Sequence, residues 1–277
     1  MKSKLKHYCQ IWGVQHPHKL ADRPTSQVYQ VDYEGHFAVL KVLTPIGVED
    51  ERHGATALAC WGGDGAAHMY HADGGAHLLE YIDGEDCVSL VRDGRDDEAS
   101  AVIGETLARL HRAHPKPPPR ALTSLEDRFS ELFVAAAEPG ANPLFLRGAE
   151  LARALLDAPL NTAVLHGDLH HENILRSSTR GWLAIDAKGL RGETTYDGAM
   201  AVLNPMNAGV TIDAPDRIQR IISILAAKMD VSPDRLTRFT FAHACLSASW
   251  LLETDTFSSN RALQIAQVIE GLIGPGS

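Results

Sequence analysis

Cysteine is scarce in this sequence: Cys9, Cys60, Cys87 and Cys245 are the only four in 277 residues, and no two of them form a C-x-x-C pair. Zinc ribbons, redox dithiols and disulfide frameworks need cysteines at close or regular spacings. Sites of these kinds are therefore excluded, and we expect isolated, buried thiols.

Long apolar runs are missing as well. No stretch approaches the roughly 20 residues needed to span a bilayer. The basic start, residues 1–20, has neither the apolar core nor the small-residue cleavage site of a secretory signal. We expect a cytoplasmic protein with no membrane segment.

Basic residues are in the minority, with 26 Lys and Arg against 35 Asp and Glu, a net charge of −9. Nucleic acid is disfavoured as a partner because neutralising its phosphates requires a basic surface. A small cationic molecule is better tolerated. The expected partner is therefore a small-molecule substrate, cationic in character, bound by a monomer.

The order of predicted elements indicates an α+β protein in two parts. Residues 26–43 alternate apolar and polar around Glu34-Gly35, which predicts a β-hairpin; a helix follows at 48–61 and a buried strand at 77–82. After Asp83 the pattern becomes helical. The division predicts a nucleotide-binding N-lobe over 1–83 and a larger, mainly helical C-lobe over 84–277. The C-lobe helices are predicted at 96–114, 124–138, 143–157, 214–229, 233–253 and 260–273.

Residues 163–175, "AVLHGDLHHENIL", concentrate polar chemistry between apolar flanks. One interpretation is a zinc site that uses His166, Asp168, His170 and His171, as in a metal-dependent hydrolase. A zinc site usually draws its remaining ligands from a second cluster of Cys, His or carboxylate residues. The other histidines form no such cluster, so the zinc interpretation is subordinate.

A phosphoryl-transfer interpretation accounts for more of this motif. Kinase catalytic loops read H-x-D-x-x-x-x-N, and a second metal-binding Asp follows one hairpin later. Here Asp168 and Asn173 have the required interval, and Asp186 ends the apolar strand of "WLAIDAKG". Asn173 and Asp186 would supply the oxygen ligands that Mg²⁺ prefers.

The phosphoryl-transfer hypothesis requires a phosphate-binding lysine and a partner glutamate in the first part of the chain. Lys41 lies in the predicted strand "FAVLKVL", and Glu51 lies in the next helix. Glu80, Tyr81 and Ile82 then fall where the two parts join, with backbone groups available to an adenine. No G-x-x-x-x-G-K-[ST] motif is present, which excludes a Walker-type phosphate loop.

With these motifs the chain resembles the aminoglycoside/hydroxyurea phosphotransferase family, most closely its aminoglycoside 6-phosphotransferases, the streptomycin 6-kinases. "LHGDLHHENIL" and "GWLAIDAKGLRGE" carry the resemblance, and "DERHGATAL", "LLEYIDGE" and "HACLSASW" extend it over nearly the whole chain. It implies a bilobal protein-kinase-like fold, ATP and Mg²⁺. The implied roles are a catalytic base (Asp168), metal ligands (Asn173, Asp186), a phosphate-binding lysine (Lys41), its partner (Glu51) and a nucleotide-covering turn (Thr25, Ser26).

The acceptor is less constrained. Guanidinium groups of a streptomycin-type antibiotic would pair with carboxylates of the C-lobe. The candidates are Glu193, Asp197 and Glu253, with Trp250 as a pocket wall, although Asp197 is as well suited to brace the loop that carries Asp168. The alternatives are a kinase for hydroxyurea or another metabolic hydroxyl compound, the zinc hydrolase, and a degenerate kinase-like binding module.

Overall fold

The computed structural model describes residues 2–112, 117–205, 208–252 and 256–273, and its strands form three sheets. The largest is an antiparallel sheet in the order β1-β2-β3-β5-β4; a three-stranded sheet has the order β6-β10-β7, and β8 pairs with β9. The strands are β1 (Gln15–Asp22), β2 (Ser26–Tyr33), β3 (His36–Leu43), β4 (Met69–Asp73), β5 (Ala76–Glu80), β6 (Thr123–Ser124), β7 (Thr162–Leu165), β8 (Ile174–Ser177), β9 (Gly181–Ala184) and β10 (Leu190–Glu193).

Eleven α-helices are present in the described part of the chain, with two 3₁₀ helices at His171–Asn173 and Thr194–Gly198. One precedes the large sheet, one lies between β3 and β4, and the others build the second lobe. They are α1 (Lys2–Ile11), α2 (Pro45–Trp61), α3 (Val88–Arg92), α4 (Asp96–Leu110), α5 (Leu125–Arg128), α6 (Ser130–Ala137), α7 (Pro143–Asp157), α8 (Ala199–Val202), α9 (Pro215–Met229), α10 (Pro233–Leu251) and α11 (Thr256–Glu270). None of the helices among these described residues is both long and apolar enough to cross a membrane.

Strand β3 shows how the large sheet separates a core face from a functional face. Successive side chains of a strand point to opposite sides. Ala38, Leu40 and Val42 are fully buried in a cluster that includes Tyr8 of α1. The intervening Lys41 therefore points to the opposite side, where α2 packs and where the second lobe approaches.

The second lobe is organised around one large apolar cluster that runs through α4, α7, α9 and α10. Strand β7 enters this core, and residues 166–173, the motif loop, connect it to β8. The hairpin β8–β9 then returns the chain to Asp186 beside the same loop. The fold thus brings the two ends of the motif together at the boundary between the lobes.

Most predicted elements are confirmed, with small shifts of their ends. The predicted 124–138 helix is instead two short helices that meet at Phe129, and the last two residues of the predicted 96–114 helix lie outside the described residues. The sequence did not predict α1 or β1. Two of the four thiols, Cys87 and Cys245, are buried as expected, whereas Cys9 and Cys60 are only half-buried.

Candidate functional site

Lys41 lies at the centre of a buried ion-pair cluster. Its Nζ is 2.5 Å from Glu51 Oε2 on α2 and 2.8 Å from Asp186 Oδ1, which follows β9. The side chains of Lys41 and Glu51 are 9% and 11% exposed, but that of Asp186 is 48% exposed. Three separate elements therefore meet at one ammonium group, and one of the two carboxylates stays open to solvent.

The charges in this cluster stabilise each other. Burial lowers the pKa of the Lys41 ammonium, but the carboxylates of Asp186 and Glu51 outweigh it and hold the pKa above its ordinary value. Burial raises the pKa of Asp186, and the Lys41 charge outweighs that effect and depresses it. Both groups are therefore ionised at neutral pH.

Helix α2 has local features that fix the position of Glu51. Thr44 caps the helix by accepting a hydrogen bond from the Gly47 N–H at 3.1 Å, and Pro45 occupies the first turn, where its missing N–H is harmless. One turn after Glu51, a Cβ at Gly54 would lie 2.0 Å from the Ala187 carbonyl oxygen. Only glycine lets α2 approach the chain beside Asp186 this closely.

Asp197 holds the motif loop in place. Its buried carboxylate accepts hydrogen bonds from the N–H groups of His166 and Gly167, each at 2.8 Å, and lies 2.9 Å from His111 Nε2. Gly167 has φ +77°, and a Cβ there would lie 2.6 Å from Leu190. These contacts determine the backbone course immediately before Asp168.

His166 connects the motif loop to the strand that ends near Asp186. It is fully buried, its Nε2 lies 2.9 Å from the Ile185 carbonyl oxygen, and Trp61 stacks on its ring. Burial depresses its pKa, so the ring is neutral. The Nε2–H then donates to Ile185 while Nδ1 accepts from the Asp168 N–H at 3.3 Å. His166 is thus a structural link, as a kinase-type loop requires.

Asn173 and Asp186 offer oxygen ligands on the wall of a cleft of about 610 Å³, which Asp168 also lines. The amide nitrogen of Asn173 donates to the Asp168 carbonyl at 2.9 Å, which leaves its carbonyl oxygen for another partner. Asp186 has φ +57°, an uncommon backbone conformation for a residue other than glycine and one that clusters at functional sites. These hard oxygen donors fit a divalent cation such as Mg²⁺, completed by nucleotide phosphates and water.

The other two histidines of the motif do not join His166 in a common site. His170 lies on the cleft wall, whereas His171 is fully buried with neither ring nitrogen hydrogen-bonded, and burial lowers its pKa to about 3. Across the described residues, no three His, Cys, Asp or Glu side chains are placed to hold one ion. The geometry therefore does not favour the histidine-based zinc interpretation.

The segment joining the lobes is held by its side chains. The carboxylate of Glu80 accepts the His68 N–H at 2.9 Å and pairs with Arg180 at the tip of the β8–β9 hairpin. Tyr81 makes an edge contact with Phe37, and Ile82 is buried against the same hairpin. The Glu80 N–H also donates to the His68 carbonyl at 2.8 Å. None of Glu80, Tyr81 and Ile82 lines the cleft that contains Asp168, so their role in nucleotide binding stays a prediction.

Two predicted substrate-binding carboxylates are engaged elsewhere, which corrects that part of the prediction. Glu193 is 1% exposed and forms two hydrogen bonds with Arg235, at 2.5 and 2.6 Å. Asp197, also 1% exposed, braces the motif loop as described. Neither carboxylate is available to a substrate, because protein donors already satisfy both.

The remaining acceptor candidates lie at the end of α10 and beyond. Trp250 is half-buried and stacks on the Arg128 guanidinium, 4.3 Å from the ring centre, and it does not line the cleft that contains Asp168. Glu253 lies outside the described residues. None of the three acceptor-binding candidates that the structure describes lines this cleft.

The cleft has charged walls that the sequence did not suggest. Arg23 lines it from the turn between β1 and β2, Asp86 from the chain after β5, and Glu172 from the motif loop. Ser26, which was predicted, also lines it; its hydroxyl is buried without a hydrogen-bond partner. Arg23 lies three residues before Ser26 in the sequence. This proximity to the predicted nucleotide-covering turn was the one signal that could have identified Arg23 as a cleft residue.

Comparison with known proteins agrees with this geometry. A family model described as aminoglycoside/hydroxyurea antibiotic resistance kinase matches residues 11–255. A streptomycin 3''-kinase of Klebsiella pneumoniae is 41% identical over 219 residues, covering 78% of this chain and 80% of that protein. A streptomycin 6-kinase of Streptomyces griseus is 31% identical over 252 residues, covering 87% and 79%. The predicted preference for the 6-kinases is therefore corrected.

The fold has close structural counterparts. The structure of an amicoumacin kinase in complex with AMP-PNP and Ca²⁺ superimposes with a TM-score of 0.68 at 16% identity, covering 100% of this chain and 95% of that one. The predicted bilobal protein-kinase-like fold, with its N-terminal antiparallel sheet and helical C-lobe, is confirmed.

Proposed function

Because the chain belongs to the aminoglycoside/hydroxyurea antibiotic resistance kinase family, we propose that it phosphorylates a hydroxyl group of a streptomycin-type aminoglycoside with ATP, and so inactivates the antibiotic. One observation carries the proposal: Lys41, Asp168, Asn173 and Asp186 line a single cleft between the lobes. These residue types are the ones that position a nucleotide, a metal ion and an acceptor hydroxyl for phosphoryl transfer.

In this proposal Lys41 binds the nucleotide phosphates, while Glu51 keeps its ammonium in place. The turn containing Ser26 covers the phosphates, and the backbone of Glu80–Ile82 borders the adenine. Asn173 and Asp186 would hold Mg²⁺, which when bound screens the phosphate charge and orients the terminal phosphate. The amicoumacin kinase of the same fold was solved with AMP-PNP and Ca²⁺, which supports a nucleotide and a divalent cation as the ligands.

Asp168 accepts the proton of the acceptor hydroxyl as its oxygen attacks the γ-phosphorus. The new O–P bond forms as the bond from the γ-phosphorus to the bridging oxygen of ADP breaks, and ADP leaves with that electron pair. No covalent enzyme intermediate is needed, so most of the catalysis comes from positioning and charge stabilisation. The contacts of Asp197 and His166 serve this step by fixing the backbone that carries Asp168.

The position phosphorylated is the finer part of the proposal. We favour the 3''-hydroxyl of streptomycin because identity to the 3''-kinase, 41%, exceeds identity to the Streptomyces griseus 6-kinase, 31%. Phosphorus-coupled NMR of the purified product distinguishes the two. Phosphate on the 6-hydroxyl would overturn the regiochemical assignment and leave the kinase assignment intact.

The decisive experiment is streptomycin-dependent release of ADP from ATP and Mg²⁺ by the wild-type protein and by Asp168→Asn. We expect turnover with streptomycin and a loss of about 1,000-fold in kcat for the variant, because the amide accepts no proton. Asp157→Asn, an exposed residue at the end of α7, is the matched control and should retain full activity. Equal turnover by wild type and Asp168→Asn would contradict the assigned base.

The second candidate is a hydroxyurea kinase, because the family description includes that substrate. The same assay with hydroxyurea and a panel of other aminoglycosides decides between the two. Turnover with hydroxyurea alone would replace the antibiotic acceptor. Nucleotide binding without any acceptor turnover would favour a kinase-like binding module.

A further inference from the structure

The charged residues that line the cleft are net negative, and this negative charge by itself repels the phosphates of a nucleotide. Its walls carry three cations, Arg23, Lys41 and Lys188, and five carboxylates, so that with His170 left aside the lining has a net charge of −2. The carboxylates are Glu51, Asp86, Asp168, Glu172 and Asp186. A nucleoside triphosphate is itself a polyanion. Even with a divalent cation to offset the lining, its phosphates require further positive charge from the protein.

One of the three cations, Lys41, is already committed to carboxylates. Lys41 contacts both Glu51 and Asp186, so this cluster as a whole carries one negative charge. Lys188, two residues after Asp186, is half-buried, and Arg23 is exposed. Neither side chain forms an ion pair or a side-chain hydrogen bond with a residue that the structure describes, so Arg23 is the most accessible of the three cations.

The backbone around Arg23 is fixed although its side chain is not. The Arg23 N–H donates to the Ser26 carbonyl at 2.8 Å, and the Ser26 N–H donates back at 3.3 Å. The Thr44 N–H, at the start of α2, donates to the Thr25 carbonyl at 2.9 Å. The turn is therefore fastened to the helix that carries Glu51, which keeps Arg23 on the wall of the cleft.

This turn offers few free backbone donors to a phosphate. Protein kinases cover the phosphates with a glycine-rich loop. Here Pro24 has no N–H to donate, and the Ser26 N–H is already bonded to Arg23. A guanidinium presents several donors in a planar fork that matches phosphate oxygens. The buried Ser26 hydroxyl, which has no partner, lies on the same turn.

We infer that Arg23 is a further catalytic residue, whose guanidinium binds the β- and γ-phosphate oxygens of the nucleoside triphosphate. The inference rests on the proposed function. As the bond from the γ-phosphorus to the ADP oxygen breaks, negative charge grows on the leaving oxygen, and the guanidinium stabilises it. Arg23 exchanges no proton and forms no covalent bond in this step.

The test compares Arg23→Met and Arg23→Lys with a charge-matched control, Lys6→Met on the exposed side of α1. We expect Arg23→Met to lower kcat/KM for ATP about 100-fold, as loss of one transition-state donor does elsewhere. Arg23→Lys should recover about tenfold of that loss, because it restores the charge but not the fork. Lys6→Met should match the wild type.

Binding of AMP-PNP and AMP, measured by calorimetry, separates this inference from the proposed function. We expect Arg23→Met to weaken AMP-PNP about tenfold and to leave AMP unchanged, even if no acceptor is turned over. Equal loss for AMP-PNP and AMP, or kcat/KM for ATP within twofold of an active wild type, overturns the role of Arg23. An inactive wild type that still shows the selective AMP-PNP loss overturns the proposed acceptor and supports the phosphate contact.

Discussion

Two buried ion-pair sites in this protein use similar groups and differ in what they leave open. Between the lobes, the Lys41 ammonium meets the Asp186 carboxylate at 2.8 Å, and the Asp186 side chain remains 48% exposed. In the C-lobe, Arg235 meets both oxygens of Glu193, whose side chain is only 1% exposed. The first carboxylate can still bind a ligand, and the second cannot.

The chemistry of the cation explains the difference. A guanidinium contacts both oxygens of a carboxylate at once, whereas an ammonium acts as a point charge and can hold two carboxylates. The Leu160 N–H also donates to Glu193 at 2.9 Å, which completes its hydrogen bonding. A buried carboxylate is thus a poor guide to function unless an oxygen remains accessible.

The largest expected effect comes from breaking the solvent-accessible pair of Lys41 and Asp186. Asp186→Asn should reduce kcat 100- to 1,000-fold, because it removes a charged metal ligand and a partner of Lys41. Its free energy of unfolding should change by less than about 1 kcal/mol, because the carboxylate is half-exposed. Steady-state kinetics and urea unfolding measure the two quantities. A large loss of stability would mean that Asp186 is chiefly structural.

Breaking the buried pair of Arg235 and Glu193 should instead lower stability and leave kcat unchanged. Glu193→Gln should lower the free energy of unfolding by about 3 kcal/mol, because it leaves Arg235 without a charged partner. The folded fraction should keep the kcat of the wild type. Glu126→Gln, an exposed residue on α5, is the control and should change stability by less than about 0.5 kcal/mol. A selective rise in KM for the acceptor would restore Glu193 as a substrate ligand.

The smallest effect concerns buried groups that carry no charge. Burial lowers the pKa of His243 to about 3, whereas the unfolded chain titrates near 6.5. The unfolded state therefore binds more protons below pH 6.5, and stability falls as pH drops from 6.5 towards 3, by up to about 1.4 kcal/mol per pH unit.

His243→Gln, which can keep a hydrogen bond to Tyr196, should reduce this pH dependence. Urea unfolding at pH 7.5 and 5 measures it. The exposed His18→Gln variant should retain the dependence of the wild type. Identical slopes for all three proteins would show that His243 titrates in the folded state as it does in the unfolded chain.

How far the sequence could go depends on how local each feature is. The β2–β3 hairpin, helix α7 and the interval from Asp168 to Asn173 follow from periodicity and spacing within a few residues. Helix α1 also carried a usable signal, because Leu5, Tyr8, Cys9 and Trp12 have helical spacing and pack beneath the sheet. It was missed because its basic residues were considered only as a possible targeting segment.

The sequence could not show that two of the acceptor candidates are already paired within the protein. Glu193 and Asp197 look like free carboxylates in the sequence, because the groups that satisfy them are far away: Arg235 is 42 positions from Glu193, and His111 is 86 from Asp197. The close approach of Gly54 to Ala187 is equally invisible in either local stretch. Such contacts arise only when separate elements pack.

The chemical groups of this protein and their order can be read from the chain, because strand periodicity and motif spacing are local properties of the polypeptide. Which of those groups remain available for binding depends on the packing of the folded protein. Arg235 satisfies the carboxylate of Glu193, and two N–H groups of the motif loop satisfy that of Asp197. The packing of α2 brings Glu51 to Lys41, while the carboxylate of Asp186 remains exposed to solvent. Burial and pairing depend on surfaces from distant segments, and only the packed chain brings those surfaces together.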